Sequence, residues 1–134
     1  MIVREMTARD RRYVVPTWAR SSRYDGLRLP ERFALVDRIL DGGARCVVLA
    51  TDDRTVHAWA CADTYEGVRK WSPDGEFPLL LHYAYVPPEL RGNGLARRLI
   101  TELLGEYPDR IHVTHEWPRV SSRFRLSLYR LRAA

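Results

Sequence analysis

PLLLHYAYVPPELRGNGLARRLITELLG, from Pro78 to Gly105, decides how the rest of the chain is read. Its first part, about Pro78 to Val86, is apolar and aromatic and suits a buried strand. Pro87 and Pro88 cannot donate ladder hydrogen bonds, so the strand must stop there. From about Gly92 or Asn93 to Glu106 the apolar residues recur at helical spacing, which predicts an amphipathic helix. Between the two, Arg91-Gly92-Asn93-Gly94-Leu95-Ala96 brings backbone N–H groups to a helix start. The first donors of a helix have no partner inside it, so they form an anion site that suits a phosphate. The two glycines let the main chain approach a ligand with no Cβ in the way. Arg91 adds a fork of charged donors. The plainer reading is a tight glycine turn beside a surface arginine.

The 134 residues suffice for a single domain, taken as 1–134, whose core needs neither disulfide nor metal. Hydrophobic residues make up 46% and charged residues 29%, a globular balance rather than a disordered one. The chain has no apolar run of the roughly 18 residues that a membrane helix needs. MIVREMTARDRR lacks the apolar core of a signal peptide. A cytoplasmic protein without membrane contact is the expectation. Cys46 and Cys61 lie in apolar runs away from any CxxC pattern and read as buried reduced thiols. His57, His82, His112 and His115 are not spaced with them as ligands, so no metal is expected. Net charge is +5 and the isoelectric point is near 9.6, a field that draws in anionic ligands. Lys70 is the only lysine, and Pro118 to Ala134 holds five arginines (Arg119, Arg123, Arg125, Arg130, Arg132) with no acid.

Outward from the central stretch, the other elements fall in order. Residues 2–6 alternate and suit a strand. Thr7 followed by Asp10 resembles a helix cap with an acid in the first turn, opening a helix over about Ala8 to Arg20. Pro16 predicts a kink or a break in it near Val15. Glu31 to Asp41 is a second helix, with Phe33, Val36, Ile39 and Leu40 on one stripe and Gly42-Gly43 as its stop. Ala44 to Thr51 and Thr55 to Tyr65 are strands joined by Asp52-Asp53-Arg54, hence an antiparallel hairpin. Arg110 to Glu116 is a further strand. The tail divides into a helical turn near 119–124 and a strand near 126–131. The order βααβββαβ(α)β is a mixed α/β sheet.

Val86-Pro87-Pro88-Glu89-Leu90-Arg91-Gly92-Asn93-Gly94-Leu95-Ala96 resembles the signature of the GCN5-related N-acetyltransferases (GNAT). That signature reads Val-x-Pro-x-x-Arg/Gln-Gly-x-Gly-x-Gly/Ala between a strand and a helix, and every fixed position matches. The preceding strand, two helices and hairpin also match, so the resemblance covers about residues 1–116. Trp18-Ala19-Arg20-Ser21 and the compact length further resemble small acetyltransferase-like proteins of tailed phages, which would place the protein in the host cytoplasm. The resemblance implies a central, mostly antiparallel sheet with a splayed strand pair, flanked by helices. It implies N-acetyl transfer from acetyl-CoA to an amine by direct attack.

By the same resemblance, Arg91, Gly92, Asn93, Gly94, Leu95 and Ala96 would bind the pyrophosphate of acetyl-CoA. The main chain at Ala84, Tyr85 and Val86 would pair with the pantetheine arm, and a backbone N–H near Tyr85 or Val86 would hold the developing oxyanion. Many members carry a glutamate base four residues before the motif valine; here that position is His82, whose ordinary pKa near 6.5 suits a base. Strand alternation predicts that His82, Ala84 and Val86 share one face, which aims His82 at the cofactor cleft. Its other reading is a hydrogen-bonded core histidine. Many members use a tyrosine of the last helix as the acid for the leaving thiolate, and Tyr129 is the only tyrosine in the tail. Trp18, Arg23 and Tyr24, with Arg20, would border the acceptor site, and Trp71 could join them; His115 and Glu116 close the next strand and could face the same cleft, as base candidates or, for His115, as an acceptor-binding residue. Each of these also reads as a packing or surface residue.

The acceptor is then a small-molecule or protein amine. A homodimer would cover a sheet edge left bare by the short tail. Two other functions compete with transfer. One is a non-catalytic CoA-binding or interaction module of the same fold, favoured by histidine where glutamate is usual. The other is a nucleic-acid binder using the arginine-rich tail; dispersed arginines and the lack of a reading motif weigh against it.

Overall fold

The computed structural model describes residues 1–21, 26–52, 55–63, 80–104, 110–113 and 125–128. In chain order these form β1 (Ile2–Glu5), α1 (Ala8–Ser21), α2 (Leu29–Asp41), β2 (Arg45–Ala50), β3 (Val56–Asp63) and β4 (Leu80–Tyr85). A 3₁₀ turn (Pro88–Leu90), α3 (Leu95–Leu104), β5 (Arg110–Val113) and β6 (Arg125–Leu128) follow. The strands make one six-stranded sheet in sequence order. β1 to β4 pair antiparallel, whereas β5 pairs parallel with β4 and β6 parallel with β5.

α1 starts where Thr7 and Asp10 cap each other. Asp10 Oδ2 accepts the Thr7 N–H at 2.8 Å, and Thr7 Oγ1 accepts the Asp10 N–H at 3.3 Å. Arg4 of β1 also donates to the Asp10 carboxylate, so one buried acid joins strand to helix. The helix runs through Pro16 without the break that was one of the two outcomes, a kink or a break, expected near Val15. A proline withdraws one donor and crowds one carbonyl. The buried stripe of Val14, Val15, Trp18 and Ala19 holds the helix across that defect. α2 begins at Leu29, two residues earlier than its apolar stripe indicates, because Pro30 fits the first turn without needing a donor. It ends as expected at Gly42-Gly43: Gly42 N–H reaches Arg38 O at 2.9 Å, and Gly43 has φ +96°.

Strict alternation in β2 and β3 divides the core into two layers. Val47, Leu49, Ala58, Ala60, Ala62 and Leu81 face α3, where Leu99, Ile100 and Leu103 cover them. Cys46, Val48, Ala50, Trp59 and Cys61 face α1 and α2, packed on Val14, Trp18, Leu35, Val36 and Leu40. Both cysteines are reduced and buried, as expected. Arg45 ties the α3 layer to the sheet by donating to Leu103 O at 3.0 Å and Glu5 Oε1 at 2.6 Å. β6 overlaps the strand expected near 126–131, and residues 119–124 lie outside the described residues. No helix among the described residues is long and apolar enough to cross a membrane.

Candidate functional site

The site begins with an irregularity in β4. Cys61 of β3 faces Tyr83, but its neighbour Ala62 faces Leu81. β4 therefore carries one residue more than β3 at this point, and His82 is that bulged residue. The bulge resets the alternation. Leu81 belongs to the α3 layer, and so do Ala84 and Val86 beyond it. Tyr83 and Tyr85 belong to the α1 layer.

His82 does not share a face with Ala84 and Val86, which corrects the expectation from simple alternation. Its ring lies 6.2 Å from that of Trp18, on the α1 side. The physical cause is the extra residue, because period-two logic fails across a bulge. The His82 side chain is 2% exposed, and Nε2 lies 3.2 Å from Asp63 Oδ2 at the end of β3.

The same place marks the end of pairing on the other side of β4. Leu80 and Leu81 pair with His112 and Val113 of β5. Among the described residues, no strand pairs with 82–85 on that side. Alternate amides and carbonyls of this edge, which includes Ala84 and Tyr85, are therefore turned away from β3 and open to an added strand. Val86 continues the edge to Pro87.

The edge leads directly into the loop. Leu90 N–H reaches Pro87 O at 2.9 Å, and Arg91 N–H reaches Pro88 O at 3.3 Å, so the turn is tightly wound. Arg91 Nε donates to Val86 O at 2.8 Å and Asn93 Nδ2 to Leu90 O at 3.1 Å. Both side chains thus brace the loop, a role the sequence did not assign them. The bond to Val86 O engages Nε, and Arg91 is an exposed residue. Gly92 and Gly94 have φ +85° and +73°, and a Cβ built on either meets nothing within 4 Å. These conformations delay α3 to Leu95 rather than Gly92 or Asn93. Its first internal bond is Arg98 N–H to Gly94 O at 3.0 Å, so the amides of Leu95 and Ala96 precede the ladder. The first turn carries no acid, and Arg97 and Arg98 are exposed beside it. An open cradle of amides, glycines and arginines fits a pyrophosphate.

On the α1 side, aromatic rings crowd against β4. Trp18 stacks with Tyr83 at 6.3 Å and 21°, and Trp59 with Tyr85 at 6.2 Å and 28°. Trp18 is wholly buried, so the half-buried Tyr83 and Tyr85 present aromatic surface in its place. Tyr13 of α1 lies near Tyr85 and Glu89; burial foremost, then these neighbours, raise its phenol above the ordinary value. Burial likewise pushes the Cys61 thiol well up, with Cys46 beside it, so neither a thiolate nor an acyl-cysteine is favoured there.

Tyr83, Asp63 and Tyr13 were not anticipated. A carboxylate inside the apolar run TVHAWACADTY was the available signal for Asp63. Arg23, Tyr24, Trp71, His115, Glu116 and Tyr129 lie outside the described residues. Among the described residues, no group of three His, Cys, Asp or Glu side chains could hold a metal ion.

Comparison with solved structures finds the same fold in distant proteins. A Desulfovibrio desulfuricans protein described as an acetyltransferase of the GNAT family is 21% identical, over 76% of this chain and 62% of that one, with a TM-score of 0.51. A ribosomal-protein-alanine N-acetyltransferase of Brucella melitensis biovar Abortus is 19% identical over 98% and 80%, TM-score 0.51. A Trypanosoma brucei acetyltransferase is 16% identical over 98% and 96%, TM-score 0.52. The chain thus spans about three fifths of the length of the Desulfovibrio protein. Comparison with curated proteins finds no match. The family model described as "Acetyltransferase (GNAT) family" matches residues 6–131, which takes in both core layers, the open edge of β4 and the glycine loop. The chain belongs to the GNAT acetyltransferase family.

Proposed function

We propose that the protein is an acyl-CoA-dependent N-acetyltransferase that moves an acetyl group to an amine by direct attack. The observation that carries this reading is the continuity of the open β4 edge with the two-glycine loop at the start of α3. Acetyl-CoA supplies an activated acyl thioester. Arg91 and the amides from Gly92 to Ala96 hold its diphosphate, and the main chain of Ala84, Tyr85 and Val86 aligns its arm beside β4. An N–H of that edge donates to the carbonyl oxygen as it gains charge. His82 accepts the proton that the attacking amine must lose. Tyr129 remains the candidate donor to the leaving sulfur. Tyr83 and Tyr85 border the acceptor, together with Arg23, Tyr24 and His115 as the sequence places them. The acceptor itself is a small-molecule or protein amine, and the burial of both cysteines supports direct attack.

The burial of His82 favours one second reading, a module of the same fold that binds CoA without transferring the acyl group. Titration calorimetry with acetyl-CoA tests what the two share: absence of heat at millimolar ligand overturns both. Thiol release in the presence of amines separates them. Release that depends on an amine and falls in His82→Gln supports transfer, and binding without release supports the module.

A further inference from the structure

His82 has a partner that the reading above leaves unused. Asp63 is the last residue of β3 and stands opposite Leu80 at the start of β4. Two residues later, the bulge turns the His82 ring toward the α1 layer, and Nε2 comes within 3.2 Å of Asp63 Oδ2. An ionised carboxylate only accepts hydrogen bonds, so this contact places a proton on Nε2. Asp63 is 26% exposed whereas His82 is 2% exposed. The carboxylate keeps contact with water, while the imidazole is fixed inside the fold by Trp18 and the bulge.

We propose that Asp63 is a positioning residue for acyl transfer. It holds the Nε2–H tautomer of His82, so that Nδ1 is the nitrogen that takes the amine proton. The inference rests on the assignment of His82 as base. As the amine nitrogen bonds to the thioester carbonyl carbon, its proton passes to the lone pair of Nδ1. The ring becomes an imidazolium with a proton on each nitrogen. The carbon–sulfur bond breaks, the sulfur leaves with its electron pair and takes up one proton, and His82 returns to the neutral ring. Asp63 stays ionised throughout and lowers the energy of the imidazolium. Without it, both tautomers populate and part of the protein offers an N–H where a lone pair is needed.

Nitrogen NMR of the full chain, labelled at histidine, reads the tautomer directly. Only four histidines contribute, and His82→Gln identifies the signal. Expected is a protonated Nε2 and an unprotonated Nδ1 for His82 in its neutral form. Asp63→Asn should mix or invert this pattern, and Asp63→Glu should restore it. An Nδ1–H tautomer in the unmodified protein, or a pattern indifferent to Asp63→Asn, overturns the inference without any need for turnover.

Rates give the second arm, using acetyl-CoA with spermidine, tyramine or a peptide bearing an N-terminal alanine as probe amine. Asp63→Asn should lower kcat about 100-fold with KM for acetyl-CoA within about twofold of the original. Asp63→Glu should recover most of the loss, and Asp63→Asn should cost nothing further in a His82→Gln background. A normal rate in His82→Gln overturns the base assignment. A normal rate in Asp63→Asn beside an inactive His82→Gln overturns the positioning role alone.

Discussion

Gly94→Ala tests the loop most sharply, because the strain it introduces can be separated from its effect on a ligand. Gly94 has φ +73°, where a side chain costs about 1–2 kcal/mol. A built Cβ meets no atom of the protein within 4 Å, so strain is the whole intramolecular cost. For a domain of this size that lowers Tm by roughly 3–6 °C per kcal/mol. Gly43→Ala supplies the control. It has φ +96°, equally open space, and a place at the far end of the sheet. Arg45, just after it, lines up through Ala62 with Leu81 at the start of β4, whereas Gly94 follows the end of that strand.

The two variants should therefore lose similar stability in a thermal melt but differ in calorimetry with acetyl-CoA. Gly43→Ala should keep its affinity. In Gly94→Ala the free loop can relax from the strained angle, and binding must restore it. Whatever part of the roughly 1–2 kcal/mol the free loop sheds in this way no longer lowers Tm and weakens affinity instead, up to about 30-fold if all of it is shed, since 1.4 kcal/mol is tenfold. The added methyl also keeps a diphosphate from close approach to the amides. Unchanged affinity in a Gly94→Ala protein with the expected lower Tm would refute the loop as the cofactor's seat.

Other perturbations bear on the rest of the molecule. Arg91→Ala should weaken acetyl-CoA binding about tenfold or more by removing both the brace to Val86 and charged donors. Arg91→Lys should restore only part of this, since a lysine lacks the planar fork, and calorimetry at two salt concentrations checks the charge contribution. Asp10→Asn should cost about 2–3 kcal/mol in chemical denaturation, because the carboxylate serves both Thr7 and Arg4. Burial alone would raise the Asp10 carboxyl, but the hydrogen bonds from Arg4 and Thr7 prevail and hold it below the ordinary value. A depressed carboxylate contributes fully above its unfolded pKa of about 3.9 and loses that contribution as pH falls through the folded value. The unmodified protein should thus lose stability more steeply than Asp10→Asn below about pH 4. Cys46 and Cys61 should resist an aromatic disulfide reagent until the chain is denatured, and immediate reaction of either in the native protein would contradict the buried core.

Much of this architecture could be read from local chemistry. Thr7 and Asp10 announce a reciprocal cap, Gly42-Gly43 a helix stop, and Arg91 to Ala96 a loop into a helix, because each depends on neighbours within a turn. Pro16 misleads for the opposite reason: its local penalty is real, but the packing of Trp18 and Val14 against β3 and α2 outweighs it, and such packing is not local. The second roles of Arg91 and Asn93 were hidden because their acceptors, Val86 O and Leu90 O, are backbone groups whose direction only the folded turn defines.

The bulge at His82 is the deepest of these omissions, and it links the two halves of the site. No residue type marks it; it follows from fitting β4 against β3, where Cys61 takes Tyr83 and Ala62 takes Leu81. One inserted residue then has three consequences. It turns His82 from the α3 layer, where Ala84 and Val86 lie, to the α1 layer beside Trp18 and Asp63. It sits where pairing with β5 ends, so the edge of β4 that has no partner strand among the described residues begins there. It also brings Leu81 into the α3 layer with Ala84 and Val86, while Tyr83 and Tyr85 keep the aromatic side. On the proposed function, a cofactor held at the α3 start would approach along the edge, while His82 and the rings of Tyr83 and Tyr85 lie on the α1 side of the strand. Thioester and amine would then meet at the gap beside residues 82–85, one arriving along the edge and the other from the α1 side.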